Sequence, residues 1–374
     1  MFAQALFNSA SPTVLGRFTQ ALGDYDTLST LSSMPTGGSV SRAGQAMMYD
    51  STGKLTWAPN NLCTYSQTLS NSVWQSALLG ATLSSNETAP DGSSTAGKLA
   101  ANSGTDAVRY CGTGASSASV GTFTFSIYAK AGEFSWFFLD VYSGPELKVW
   151  FNLSNGTKGT ISGGSATYDM ISVGNGWYRC YVTFTSSISS ITARLASGNG
   201  SSTSGVTTSG NGIYLWGAQL ELVTYQTTPS TYVATTTAAY YGPRFDYYYD
   251  TGTSTWKPKG LLVEGTRTNL VLQSGAMTNA AWSVVTGTMV TDTTVASDGV
   301  TLMGKITNAS GSSGVQFYTT STVSITANAT YTCSCEVMAG TNNYPTLCLQ
   351  GDGTNWATAT FDISTTSNLS LIHI

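Results

Sequence analysis

TFTFSIYAKAG, residues 122–132, decides the fold class of this chain. Phe123, Phe125, Ile127 and Ala129 alternate with Thr124, Ser126, Tyr128 and Lys130. A period of two is the signature of a strand with one buried face. The same alternation sets Tyr178, Cys180, Val182 and Phe184 against Trp177, Arg179, Tyr181 and Thr183. In SWFFLDVY, residues 135–142, it puts Trp136, Phe138 and Asp140 on one side. In residues 212–223 it groups Tyr214, Trp216, Ala218, Leu220 and Leu222 opposite Leu215, Gly217, Gln219 and Glu221. Turn-forming residues at 50–53, 154–156 and 174–176 punctuate these runs, and the Gly/Ser/Thr/Asn stretch 196–212 reads as a long surface loop. Many short strands between such turns predict an all-β chain of antiparallel β-sandwich type.

The chain also repeats itself. NLCTYSQTLSNSVW, residues 61–74, is answered by NLVLQSGAMTNAAW, residues 269–282, with Asn, Leu, Ser, Asn and Trp in step. Asp91-Gly92 is answered by Asp298-Gly299, and residues 122–132 by TYTCSCEVMAG, residues 330–340. Inward positions stay apolar: Phe123 answers to Tyr331, Ile127 to Cys335, Ala129 to Val337. Outward positions change, Tyr128 to Glu336 and Lys130 to Met338. The predicted organisation is an N-terminal segment with a connector strand (1–59), a first sandwich (60–235), a linker (236–260) and a second, incomplete sandwich (261–368). Residues 369–374, which hold the one histidine, His373, match a translation of a transposon-end adapter and are expected to be an artefact.

Composition narrows the function classes. Charged residues make up 9% of the 374, against roughly 25% ordinarily. The net charge is −4 and no run of Lys or Arg occurs, which disfavours a phosphate-binding, nucleic-acid surface. No stretch has the roughly 20 apolar residues of a membrane helix, and no signal peptide is evident. The six cysteines contain no CxxC pair and are expected to be buried free thiols. A histidine-based triad or metal centre has no credible base or ligand. No enzyme activity is therefore expected, although a carboxylate pair among Glu133, Asp140, Asp169 and Glu221 would be what a polysaccharide-degrading enzyme needs.

Several segments resemble bacteriophage tail-fibre or head-fibre virion proteins. They are GLLVEGTRTNL (260–270), GPRFDYYYDTGT before it (242–253), GNGWYRCYVTFT (174–185) and GIYLWGAQLEL with the Tyr-rich stretch after it (212–232). The resemblance covers residues 40–368. It implies tandem jelly-roll domains similar to carbohydrate-binding modules and a place in the virion, assembled in the host cytoplasm. The implied partners are other virion proteins and a host-surface glycan, with a homotrimer as the oligomer. A purely structural decoration protein is the rival expectation.

Sugars stack on aromatic rings and hydrogen-bond to amide, carboxylate and guanidinium groups. The candidate glycan platform is Tyr128, Trp136, Asp140, Trp177, Arg179 and Gln219, provided their strands share one sheet; the alternative makes Trp136 and Trp177 core. No cofactor is expected beyond a possible structural calcium. Asp91 and Asp298 are its weak candidate ligands, and a plain Asp-Gly turn is the preferred reading of both. Trp74 and Trp282 are expected to be core plugs.

Overall fold

The computed structural model describes residues 40, 42–75, 81–102, 109–112, 116–117, 121–142, 146–186, 190–198, 209–262, 269–309, 314–320, 322–324, 331–350, 356–364 and 372–373. Most of the predicted N-terminal segment lies outside them, as does most of the predicted loop 196–212, whose first residues are still strand. The chain divides into two units, 1–265 with 297–299, and 266–296 with 300–374.

In the first unit the strands are β1 (Met47–Tyr49), β2 (Leu55–Trp57), β3 (Asn60–Asn61), β4 (Ala81–Leu83), β5 (Gly97–Ala101), β6 (Arg109–Gly112), β7 (Ser116–Ser117), β8 (Gly121–Ala131), β9 (Trp136–Tyr142), β10 (Glu146–Asn152), β11 (Thr157–Ser162), β12 (Thr167–Gly174), β13 (Trp177–Ser186), β14 (Ser190–Gly198), β15 (Gly212–Val223), β16 (Tyr240–Tyr241), β17 (Phe245–Asp250) and β18 (Thr255–Leu261). Two six-stranded antiparallel sheets form a sandwich. One runs β12-β13-β8-β15-β5-β4; the other runs β11-β10-β9-β14-β6, with β7 also on β14. One apolar cluster joins them: Phe123, Phe125 and Ile127 of β8 and Cys180, Val182 and Phe184 of β13 meet Phe137, Leu139 and Val141 of β9 and Val149 and Phe151 of β10. Those are the inward residues that strict alternation picks out, so the all-β sandwich expected from the periodicity is the observed fold.

Alternation fails at one place. In β15 the register shifts between Trp216 and Gln219. Leu215 lies in the core, and so do Ala218, Leu220 and Leu222, whereas Tyr214 and Trp216 join an aromatic cluster on the other face. The expected grouping of Tyr214 and Trp216 with Leu220 is therefore corrected. A bulge adds one residue and exchanges the faces. Gly217 takes φ +64 there, and a Cβ on it would sit 2.9 Å from the Tyr128 ring, so glycine serves both needs.

Beyond the bulge, β15 leaves β5, which pairs only with Gly212 to Leu215. Two buried amides replace the missing strand. Asn60 accepts from the Leu222 N–H (2.8 Å) and donates to the Leu222 carbonyl (3.0 Å). Asn61 accepts from the Leu220 N–H (3.2 Å) and donates to the Ala218 carbonyl (3.1 Å). Before them, β1 and β2 form a hairpin around Asp50, whose Oδ1 accepts from the N–H groups of Thr52 and Lys54. The β17–β18 hairpin repeats this chemistry around Asp250. The two hairpins touch: Tyr49 stacks on Trp256 at 5.7 Å and its N–H donates to Asp246 Oδ1.

Among its described residues the second unit shows four two-stranded antiparallel ladders: Trp282–Val285 with Gln316–Thr319, Gly287–Val295 with Leu302–Asn308, Thr332–Cys333 with Ile372–His373, and Thr346–Gln350 with Trp356–Thr360. Among its described residues, Ile363 is the one deeply buried apolar side chain. Its entry motif nonetheless copies the first. Trp74 Nε1 donates to the Tyr65 carbonyl, and Trp282 Nε1 to the Gln273 carbonyl. Tyr65 and Gln273 both take positive φ, +49 and +54. Asn71 and Asn279 each accept from the N–H two residues on. The burial differs. Trp74 is fully enclosed, while Trp282 is half-buried and stacks on Phe317 at 4.6 Å.

Candidate functional site

The six platform residues do not share a sheet. Tyr128 on β8, Trp177 and Arg179 on β13 and Gln219 on β15 lie on the outer face of the first sheet, where Arg179, Tyr128 and Trp216 stand in register across three strands. Trp136 and Asp140 belong to β9, on the outer face of the opposite sheet. Packed sheets lie roughly 10 Å apart, so the core separates the two groups.

The first group is covered. Residues 224–236, following β15, cross it as a strap. Arg179 Nη1 donates to the Ser230 carbonyl (2.6 Å) and Nη2 to Ser126 Oγ. Thr183 Oγ1 donates to the Thr227 carbonyl. Gln219 accepts from the Val233 N–H at 2.8 Å. Tyr232 packs against Tyr128 and Trp216, and its hydroxyl meets Ser66 Oγ at 2.7 Å. Trp177 and Trp216 form a second small core with Ala89 and Ala96, and Trp216 Nε1 donates to Thr95 Oγ1. Trp177 is 2% exposed, Arg179 7% and Gln219 0%. The polar and aromatic pattern that suggests a sugar platform here holds down the chain's own strap. Trp216, which faces that strap, escapes strict alternation; the signal for it was Gly217 inside a strand, a mark of a bulge.

Glu221 sits at the strap's centre. Both its oxygens face the Ser230 N–H, and the Ser230 hydroxyl donates to it. Burial pushes its pKa up, against the opposing pull of the Ser230 and Gln219 hydrogen bonds and Arg179. A raised acid binds its proton more tightly folded than unfolded, so stability falls as pH rises from the unfolded carboxyl value, about 4.3, through the folded one. Glu221→Gln is expected to be about 1 kcal/mol more stable than the parent at pH 7.5, with the difference vanishing near pH 4. Denaturant midpoints at the two pH values measure this.

The remaining carboxylates are dispersed. Glu133 accepts from Lys98 and the Gly212 N–H, and Lys98 chiefly draws its pKa down to about 2. Asp169 on β12 pairs with Lys158 at 3.5 Å. Two strands separate β12 from β15, setting the backbones of Asp169 and Glu221 roughly 14 Å apart. Asp91 Oδ1 accepts from the Ser93 N–H and hydroxyl, closing a turn. Among the described residues no group of three or more His, Cys, Asp or Glu gathers as a metal would need.

The opposite outer face carries Trp136, Phe138 and Asp140 on β9 beside Trp150 and Lys148 on β10, with Phe138 opposite Trp150 and Asp140 opposite Lys148. Phe138 and Trp150 are packed at 5.1 Å with Trp136 against them. Trp136 lies over Gly159, where a Cβ would come within 2.8 Å of its ring. Trp136 is half-buried, and the Trp150 indole N–H is buried without an acceptor. No protein-family model matches this chain, and no curated protein does.

The thiols divide by unit. Cys63 and Cys180 are free and enclosed, and burial raises the Cys63 pKa to about 12. Cys333 and Cys335 are half-buried, and Cys348 is exposed, contrary to the uniform burial expected of them. The first two fill a closed core. Cys333 and Cys348 lie on two-stranded ladders, and Cys335 lies just after the first of these.

Proposed function

We propose that this chain is a non-enzymatic structural protein of a bacteriophage particle, built on jelly-roll modules and carrying an adhesive face for a host-surface glycan. One observation carries this reading: three of the four stretches that resemble phage fibre proteins are joints of the first unit. Residues 242–253 make most of the β17 arm and its turn, 174–185 the turn into β13 and most of that strand, and 212–232 form β15 and its strap. The jelly-roll reading is supported by strand order, since β5-β15-β8-β13 over β6-β14-β9-β10 is the pairing that two wrapped Greek keys produce. Assembly as a trimer with other virion proteins belongs to the same proposal.

The adhesive face is the outer side of the β9–β10 sheet. Half-buried Trp136 and, four positions along on the neighbouring strand, half-buried Lys148 flank the enclosed Phe138, Asp140 and Trp150, and the Trp150 N–H lacks an acceptor. Immunogold labelling of purified particles tests location; label confined to lysate protein outside the particles would refute it. A glycan array on the whole chain tests adhesion. Trp136→Ala is expected to cut binding at least tenfold at a temperature where the variant is still folded, and equal binding by the folded variant would refute the assigned face.

A further inference from the structure

A cavity of about 190 Å³ opens at the β4 edge of the first sheet, not on the β9–β10 sheet. Three chain segments wall it: 68–70, 84–86 after β4, and 94–97 leading into β5. The last two are tied together by backbone bonds. The Glu87 N–H donates to the Ala96 carbonyl (2.9 Å), the Ala96 N–H to the Glu87 carbonyl (3.1 Å), and the Ser84 N–H to the Lys98 carbonyl (3.0 Å). A Cβ on Gly97 would lie 2.6 Å from the Ser84 carbonyl oxygen, so glycine lets these walls close. Thr95 Oγ1 is held by the Trp216 indole N–H at 2.8 Å. Buried Leu69 and Ala96 give the cavity an apolar inner side. Thr68, Ser85, Asn86 and Ser94 are exposed, and their side chains hold no partner among the described residues. Asn86 takes φ +70, a conformation that asparagine tolerates. Every described residue lining the cavity is uncharged.

These features select a ligand. An ion entering here would shed water with no opposite charge to replace it. Hydroxyls and an amide each donate and accept, which matches a molecule whose own hydroxyls do both, and the apolar inner side suits C–H edges. The volume lies below the roughly 300–1,000 Å³ of pockets for larger ligands, so one ring enters and a chain does not. Walls fixed by backbone bonds need little ordering on binding. We propose that this cavity binds a single neutral pyranose unit. The site is separate from the adhesive face and does not rest on it, since it uses converging hydroxyls where that face uses Trp136.

The test is saturation-transfer NMR titration of the whole chain with the methyl glycosides of glucose, galactose and mannose, and with methyl glucuronide as the charged counterpart. At least one neutral glycoside is expected to bind, with a dissociation constant in the millimolar range, and more tightly than the glucuronide. Asn86→Gly keeps the backbone conformation and removes the amide; it is expected to weaken binding about fivefold, the net worth of one hydrogen bond. Ser94→Phe fills the cavity from an exposed position and should abolish binding while the chain stays folded. Trp136→Ala should bind the glycoside as the parent does. No binding of any neutral glycoside, undiminished binding by folded Ser94→Phe, a glucuronide that binds as tightly, or loss of binding in Trp136→Ala would each overturn the site. The last of these would move the sugar to the adhesive face, so the two readings fail separately. Disaccharides ending in the bound sugar separate its sources: binding equal to that of the methyl glycoside assigns the cavity to the end of a glycan, and binding of the methyl glycoside alone assigns it to a free monosaccharide.

Discussion

Trp74→Ala is expected to destabilise the first unit by about 4 kcal/mol, while Trp282→Ala costs the second about 1 kcal/mol. The two tryptophans occupy the same place in the repeat and donate to equivalent carbonyls. Their surroundings differ. Trp74 is 0% exposed and packs into the cluster that joins the two sheets, together with Leu69 and Cys63. Removing its ring opens a cavity that β-sheet backbones on both sides cannot close, and it strands the Thr64 and Tyr65 carbonyls. Domains are stable by only 5–15 kcal/mol, so the loss is a large share. Trp282 is half-buried and loses mainly one stacked ring. Denaturant unfolding of the whole chain, followed by tryptophan fluorescence, measures both. Equal losses in the two variants would mean that Trp74 is not enclosed as described.

Asn61→Ala is expected to cost a similar amount, about 4 kcal/mol, though it removes no apolar surface. Asn61 makes four hydrogen bonds at 0% exposure: it accepts from the Cys63 and Leu220 N–H groups and donates to the Ala218 and Val233 carbonyls. Alanine leaves those four backbone groups without partners, at about 1–3 kcal/mol for each that stays unsatisfied. Partial relaxation brings the sum down. Because Val233 belongs to the strap, the strap should loosen first, exposing Trp216 and Tyr232. Hydrogen exchange is therefore expected to accelerate at residues 230–235 before the β8–β13 pairing. The control is Asn269→Ala. Asn269 is exposed and, among the described residues, bonds locally to the Val271 N–H and Ser274 Oγ, so its loss should stay below about 1 kcal/mol.

Much of the fold was legible because a strand's two faces are a local property. Phe123, Phe125 and Ile127 had to share a side whatever they packed against, and they reached the core as expected. The repeat was equally legible: Asn71 and Asn279 bend the chain by bonds spanning two residues, which requires only the local sequence. The platform was not. Its residues were identified by face, but face does not say which strands share a sheet. Trp136 and Asp140 consequently lie across the core from Tyr128 and Arg179. Nor does alternation reveal that an outward face is covered. Thr124 and Ser126 alternate with the core residues yet are fully buried, because a strap roughly a hundred residues later in the chain crosses over them.

The sequence by itself determined an all-β chain, the inward side chains of β8 and β13, and a doubled entry motif, since backbone periodicity and short-range hydrogen bonds are set by neighbouring residues. Only the tertiary structure decided the sheet membership of β9, the exchange of faces at Gly217, and the sealing of Arg179 and Gln219 beneath residues 224–236. Each depends on partners distant in the chain, and the energy of a buried polar group is fixed by what it meets after folding, not by what precedes it in the sequence.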